Sequence, residues 1–259
     1  MSWLTKTLSS SIGKKVLMAI TGLFLCSFLV IHLVGNLQLF KDDGGYAFNT
    51  YSVFMTSNPL IKTISYVLYF SILFHAFWGI YLEYQNKKAR PVGYAVSKNQ
   101  GSFASKNMAI LGTIILVFIA VHLSNFWYQY HFGHLPYVTY TENLASGEIT
   151  AIESLPSDYS QEAKMLEVLN EQAGTKSVTV KDLYLEAETA FSHPLLVILY
   201  VISMAVLGFH LMHGFQSGFQ TLGLNHPKYS PFIKKVGVWI FAILIPAAFA
   251  VMPIYFLIK

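Results

Sequence analysis

Histidine is the residue type whose positions in this sequence point most directly to chemistry. The chain has nine histidines, and five of them lie in long stretches that carry almost no charge: His32, His75, His122, His210 and His213. An ionisable side chain inside a membrane-spanning helix is costly and by default marks a function within the bundle. Neutral imidazole is also a common metal ligand. These histidines therefore indicate a metal-binding or proton-carrying site inside a membrane.

The composition supports a membrane location for the elements that carry these histidines. Of 259 residues, 54% are hydrophobic and only 12% are charged, about half the charged fraction of an ordinary soluble domain. So few charges cannot cover the surface of a soluble protein of this size. The single cysteine, Cys26, excludes an intrachain disulfide, a cysteine cluster and a C-x-x-C-H haem attachment. A redox cofactor would therefore need other ligands.

Five windows are long and apolar enough to cross a bilayer, which takes about 20 residues per helix. They are residues 16–40, 60–84, 107–130, 194–221 and 236–258. The first window is too long for a secretion signal and lacks a small-residue cleavage site, so we expect an uncleaved span. The sequence predicts an all-α integral membrane bundle of five transmembrane helices, a single membrane domain over residues 1–259. An extramembranous helical insert is expected between helices 3 and 4.

The distribution of basic residues predicts which connections between the spans face the cytoplasm. Eleven of the seventeen basic residues lie in the N-terminal tail and in the second and fourth connections, and the positive-inside rule places these segments in the cytoplasm. They are Lys6, Lys14, Lys15, Lys87, Lys88, Arg90, Lys98, Lys106, Lys228, Lys234 and Lys235. The third connection, residues 136–191, then faces outward, and it carries ten of the thirteen acidic residues.

The acidic insert contains two predicted helices. Asp158 is expected to cap one that runs through Gln172 and ends at Gly174, and a second is expected over 180–190. We interpret the insert as a cap packed on the bundle. A partner-binding role is an open alternative.

Position along each span converts to height, at about 1.5 Å per residue. His32 and His122 lie in the outer half of the bundle, whereas His75 and His213 lie in the inner half. Two neutral imidazoles from opposite sides complete a six-coordinate haem iron, so the sequence predicts two bis-histidine haem sites. His210 lies three residues before His213 on nearly the same helix face. Spacing leaves the fourth ligand open, and depth favours His213.

Three segments resemble a known family. They are residues 13–23 (GKKVLMAITGL), 32–37 (HLVGNL) and 213–229 (HGFQSGFQTLGLNHPKY). Together with the spans and histidines, they are similar to the single-chain, di-haem, five-helix cytochrome b membrane-anchor subunit of succinate dehydrogenase and fumarate reductase. The resemblance covers the bundle and does not include the acidic insert.

The resemblance implies two haems b. The outer haem would be ligated by His32 and His122, and the inner haem by His75 and His213, with no catalytic residue in this chain. Leu211 stands where some members carry a glutamate, so the proton path attributed to that glutamate is not expected.

The resemblance also implies a multi-subunit complex in the bacterial cytoplasmic (inner) membrane. A flavoprotein (FAD) subunit and an iron–sulfur subunit would dock on the cytoplasmic face. Electrons would pass between the iron–sulfur subunit and a membrane quinone, with menaquinone the expected type. The enzymatic activity, succinate dehydrogenase or fumarate reductase, would belong to the complex.

Two other functions fit part of the pattern. A proton or metal transporter could use the membrane histidines, but it predicts acidic partners, and the five windows contain no Asp or Glu except Glu83. A di-haem cytochrome b anchor of another dehydrogenase, such as a hydrogenase or formate dehydrogenase, shares the haem prediction. It differs only in the soluble partner.

Overall fold

The computed structural model describes residues 6–7, 9–89 and 102–259. Arg90 and Lys98, two of the basic residues used to orient the chain, lie outside the described residues. The described chain is mostly helical and also contains a four-stranded sheet.

Five helical segments are long and apolar enough to cross a membrane, as the sequence predicts. We call them spans 1 to 5: Ser11–Phe40, Pro59–Ala89, Met108–Phe132, Pro194–Thr221 and Ser230–Ile258. Span 4 has the predicted bounds, whereas spans 2 and 5 extend past their apolar windows into residues such as Lys87 and Lys234. Charged side chains at the end of a span reach water, so the helix can continue beyond the hydrocarbon. These features are consistent with a multi-pass membrane protein.

The helices, numbered along the chain, are α1 Ser11–Asn36, α2 Tyr46–Ser57, α3 Pro59–Ala89, α4 Phe103–Lys106, α5 Met108–His122, α6 Gln129–Phe132, α7 Leu183–Phe191, α8 Pro194–Thr221, α9 Ser230–Val236 and α10 Ile245–Ile258. A 3₁₀ turn, Leu37–Phe40, ends span 1. Two π-helical segments, Leu123–Tyr128 and Gly237–Leu244, lie within spans 3 and 5.

Local signals explain how the chain turns between spans 1 and 2. Gly44 and Gly45 have φ angles of 62° and 90°, a region that glycine enters without steric cost, and α2 begins directly after them. Asn58 then starts α3, because its Oδ1 accepts the backbone N–H groups of Leu60 at 3.0 Å and Ile61 at 3.3 Å. This is an N-cap followed by proline at the first helical position.

The insert between spans 3 and 4 corrects the prediction of a helical insert. It forms an antiparallel sheet of β1 Tyr137–Asn143, β2 Ile149–Ser154, β3 Met165–Asn170 and β4 Thr175–Lys181, in the order β2-β1-β4-β3. The predicted helix from Asp158 to Gln172 is wrong: β3 occupies its second half, and Gly174, with φ 63°, lies in the turn to β4. The predicted helix over 180–190 is correct in part, since α7 follows β4 and the side chain of Asp182 caps it.

Buried residues alternate along the strands, and this pattern explains why the segment forms a sheet packed on one side. Val138 and Tyr140 in β1, and Val178 and Val180 in β4, are buried in one cluster with Val53 of α2. Successive strand residues point to opposite faces, so residues two apart share a face. Beta-branched and aromatic residues at this period favour a strand packed on one side.

Two compact units divide the chain. Unit 1 is drawn from Met1–Ile31, Tyr66–Ile119 and Ile198–Pro253, and unit 2 from His32–Ser65, Ala120–Val197 and Ile254–Lys259. The core of unit 1 includes a buried cluster of Cys26, Leu211 and Phe215. The core of unit 2 includes the cluster of α2 with the sheet.

Candidate metal centres

Unit 2 contains a histidine pair formed by spans 1 and 3. The ring centroids of His32 and His122 lie 5.8 Å apart, with the ring planes at 87°. The Asn36 side-chain amide nitrogen lies 3.3 Å from Nδ1 of His32 and donates to the His32 carbonyl oxygen at 2.8 Å. The structure therefore brings together the two residues that the sequence predicts as the outer pair.

His122 stands at a change in helix geometry. It is the last residue of α5, and the π-helical segment Leu123–Tyr128 follows it directly. Short π-helical segments inside α-helices often occur at functional sites. The His122 ring contacts Phe126, with centroids 5.4 Å apart, and Phe126 contacts Phe191 of α7. The imidazole thus packs beside aromatic side chains.

Unit 1 contains a second pair, formed by spans 2 and 4. The ring centroids of His75 and His210 lie 6.3 Å apart, with the planes at 70°. The structure therefore brings His210 to His75, whereas the depth estimate favours His213. Nδ1 of His210 is buried and has no hydrogen-bond partner, although His210 and His213 are both half-buried as whole residues. An unsatisfied buried ring nitrogen beside a second imidazole favours His210 as the fourth ligand.

Thr21 of α1 lies within hydrogen-bond distance of His75. Its hydroxyl donates to the carbonyl oxygen of Leu17 at 2.9 Å, and its Oγ1 lies 3.1 Å from Nδ1 of His75. A hydroxyl has a single proton, so when that proton is on the Leu17 bond, the oxygen can only accept from the Nδ1–H of His75. The lone pair of the ring is then on Nε2, the nitrogen left to bind a metal. Histidine ligands in metal sites are commonly oriented by such a bond at the other ring nitrogen.

Gly22 allows the ring of His75 to lie close to α1, whereas a side chain at Gly112 would make only an ordinary contact with His210. A Cβ at Gly22 would lie 3.2 Å from Cε1 of His75, and one at Gly112 would lie 3.6 Å from Cε1 of His210. A side chain at position 22 would therefore displace the ring. Gly218 serves helix packing instead, since its Cβ would meet the Leu23 side chain at 3.2 Å.

The spacing within each pair fits one shared metal ion. Bonds between a histidine nitrogen and a metal such as zinc are about 2.0–2.1 Å long, so an ion between two imidazoles places their ring centroids roughly 6 Å apart. The observed separations are 5.8 Å and 6.3 Å. Within residues 6–7, 9–89 and 102–259, no three His, Cys, Asp or Glu side chains group as metal ligands. Two imidazoles are too few for a structural zinc site, which takes four ligands, but they are the full axial set of a six-coordinate haem iron.

The contact of Asn36 with His32 could be predicted from the sequence, whereas the contact of Thr21 with His75 could not. Asn36 lies four residues after His32, the spacing at which helical side chains meet, so its contact with that histidine was accessible from spacing. The bond between Thr21 and His75 joins two helices, and no local pattern predicts it.

The fold is consistent with a multi-pass membrane protein, and histidines pair between its long apolar helices. Comparison of the chain with family models, curated proteins and solved structures found no match. The functional inference therefore rests on the residues themselves.

Proposed function

We propose that this chain is a di-haem cytochrome b, the membrane-anchor subunit of a succinate:quinone oxidoreductase (succinate dehydrogenase or fumarate reductase). The observation that carries the proposal is the arrangement of histidines. Spans 1 and 3 supply one pair and spans 2 and 4 the other, each with ring centroids about as far apart as one ligated ion requires.

In this proposal, His32 and His122 hold one haem b, and His75 and His210 hold the other. His213 remains the ligand that the depth estimate predicts, three residues from His210. A bound haem b supplies one-electron transfer. A haem held by two histidines would transfer electrons and would not bind oxygen.

Neighbouring side chains orient His75 and pack beside His122. While the Thr21 hydroxyl donates to the Leu17 carbonyl oxygen, it can accept the Nδ1–H of His75, which leaves the lone pair of the ring on Nε2. Such a bond also raises the basicity of the ligand. Phe126 packs against the ring of His122, and Phe191 packs against Phe126, so this side of the His122 ring faces an aromatic side chain that offers few hydrogen bonds to solvent.

The partners follow from the resemblance and from the charge distribution. The basic N-terminal tail and the second and fourth connections would form the cytoplasmic face, where a flavoprotein (FAD) subunit and an iron–sulfur subunit dock. Electrons would pass between the iron–sulfur subunit and a membrane quinone, with menaquinone as the expected type. The chain would lie in the bacterial cytoplasmic membrane with its N terminus inside.

The proposal is tested by a reduced-minus-oxidised absorption spectrum of the purified chain, with haem quantitation. We expect b-type bands and two haems per chain. His32→Ala and His75→Ala should each leave one haem, whereas His226→Ala, in the connection between spans 4 and 5, should leave both. A spectrum without b-type bands, or wild-type protein with one haem, would contradict the proposal. Subunits that co-purify distinguish a succinate dehydrogenase from a hydrogenase or formate dehydrogenase anchor.

A further inference from the structure

Three lysines of unit 2 gather near the ends of spans 2 and 3. Lys62 lies in the first turn of α3, Lys164 directly precedes β3, and Lys181 ends β4. The Lys164 ammonium donates to the carbonyl oxygen of Thr56 at 2.8 Å, and that of Lys181 donates to the carbonyl oxygen of Tyr130 at 3.0 Å. The two ammonium groups lie 5.9 Å and 5.7 Å from the centroid of the Tyr130 ring. An ammonium has three donors, so each of these two lysines retains N–H groups for another acceptor.

Acidic side chains do not balance this cluster. Within the part of the chain that the structure describes, the ion pairs are Lys87–Glu83, Lys176–Glu167 and Lys259–Glu188, and none includes the three clustered lysines. Burial lowers the pKa of Lys164, and the positive charges of Lys62 and Lys181 lower it further. Like charges close together are unfavourable. The insert carries ten acidic residues, but the ion pairs named above do not bring any of them to these lysines. The cluster therefore favours a bound anion.

A groove of about 590 Å³ begins at Lys164 and runs between α2 and β3. Its apolar lining includes Val53, Phe54 and Met165, and Phe54 is 55% exposed. Large apolar side chains left exposed beside a groove indicate a binding surface when they adjoin specific polar groups. Here an apolar channel adjoins a cationic site.

The acidic and phenolic groups in the groove are already satisfied. Glu167 is paired with Lys176 at 2.8 Å, and Tyr46 donates to Glu142 at 3.2 Å. Burial and the Glu142 carboxylate raise the pKa of Tyr46 to about 12, so the phenol stays neutral at physiological pH. Neither group adds an unpaired negative charge that would repel an anion at Lys164.

We propose that the lysine cluster and the adjoining groove together bind an anionic phospholipid. Its phosphate would lie at Lys62, Lys164 and Lys181, and an acyl chain would lie along Val53 and Phe54. A lipid explains both halves of the site, since a phosphate accepts from ammonium groups while an acyl chain needs an apolar channel. Lys62 and Tyr130 lie near the ends of segments that are long and apolar enough to cross a membrane, so we expect lipid head groups beside them. This inference is independent of haem binding.

The test uses the full-length chain, purified in detergent and stripped of lipid. Native mass spectrometry would measure the binding of phosphatidylglycerol and of phosphatidylcholine with the same acyl chains. We expect preferential binding of phosphatidylglycerol. Each of Lys62→Gln and Lys164→Gln should lower its affinity about fivefold, the effect of one charge near an anionic lipid. Lys164→Arg should retain binding.

Lys259→Gln is the matched control, because Lys259 is also a lysine of unit 2, and its partner Glu188 does not line the groove. Lys62 is exposed on α3, so its substitution tests the site without disturbing the sheet. Equal binding of the two lipids, or an equal loss in Lys259→Gln, overturns the proposal. Displacement of phosphatidylglycerol by millimolar inorganic phosphate would also overturn it, since the site would then recognise free phosphate.

Discussion

His210 faces His75 across spans 4 and 2, with the ring centroids 6.3 Å apart. His213, one turn further along the same helix, lies about 4.5 Å farther along the axis and about 60° around it. Depth alone favours His213, but contact with a ring on another helix depends on rotation as well as height. The rotation of α8 about its axis directs His210, rather than His213, toward His75.

The assignment of His210 predicts different effects for two neighbouring substitutions. His210→Ala should reduce the haem content from two per chain to one, because a bis-histidine site loses half of its protein ligands. His213→Ala should keep both haems, because the ring of His213 is not the one facing His75. Haem quantitation in purified protein measures both. The opposite pattern would make His213 the ligand, as depth predicts.

Thr21 should influence the haem without touching it. Thr21→Val removes the acceptor of the His75 Nδ1–H, and the loss of such an orienting bond typically lowers metal affinity about 10–100-fold. The less basic imidazole should also stabilise ferric iron less, so the midpoint potential of one haem should rise. Potentiometric titration measures this shift. Thr21→Ser keeps the hydroxyl and should behave as wild type; an unchanged potential in Thr21→Val would show that the bond has no effect on the ligand.

Asn49 should be essential for packing the insert on α2. It is only 1% exposed, and its side chain donates to Tyr140 Oη at 2.9 Å and Asp182 Oδ1 at 3.0 Å while accepting the Tyr184 backbone N–H at 2.9 Å. Asn49→Leu would leave the buried Tyr184 N–H without this acceptor, at a cost of roughly 1–3 kcal/mol. Tyr140 and Asp182 would each lose one bond, while Tyr140 would keep its bond to the Gly44 carbonyl oxygen and Asp182 its bond from the Leu185 N–H.

Limited proteolysis of the insert provides the measurement. We expect Asn49→Leu to be cleaved within the sheet at lower temperature than wild type. Glu171→Gln, in the exposed turn between β3 and β4, is the control and should be cleaved as wild type is. Equal resistance of all three proteins would refute the structural role of Asn49.

Gly208 should be required where spans 4 and 5 meet. A Cβ at Gly208 would lie 2.6 Å from the Ala242 carbonyl oxygen, and backbone cannot move aside as a flexible side chain can. Overpacking of this kind costs about 1–3 kcal/mol. Gly214→Ala is the control, because its Cβ would meet only the end of the Met108 side chain at 3.8 Å.

The single cysteine offers a direct measurement of this effect. Cys26 is buried in unit 1 beside Leu211 and Phe215, so a thiol-reactive dye reports the unfolding of that unit on heating. Gly208→Ala should label at lower temperature than wild type, and Gly214→Ala should not. Identical labelling curves for the two variants would contradict the packing role of Gly208.

Local composition was sufficient to predict the five spans, and it was misleading in the insert. A span is a property of one continuous window, because bilayer thickness sets its length. The sheet depends on pairing between distant residues, such as Tyr137 with Lys181. Met165, Leu166 and Leu169 fit a helical face as well as a strand, and only pairing with β4 distinguishes the two.

The sequence by itself determined the five apolar helices and the histidines that they carry, because the length and hydropathy of a helix depend on the residues of one continuous window. Tertiary structure decided which of those histidines meet. It also brought Thr21 to His75, and Lys164 and Lys181 to the same tyrosine ring. Contacts between segments depend on how each helix and strand is rotated against its neighbours, and that rotation is a property of packing among many residues.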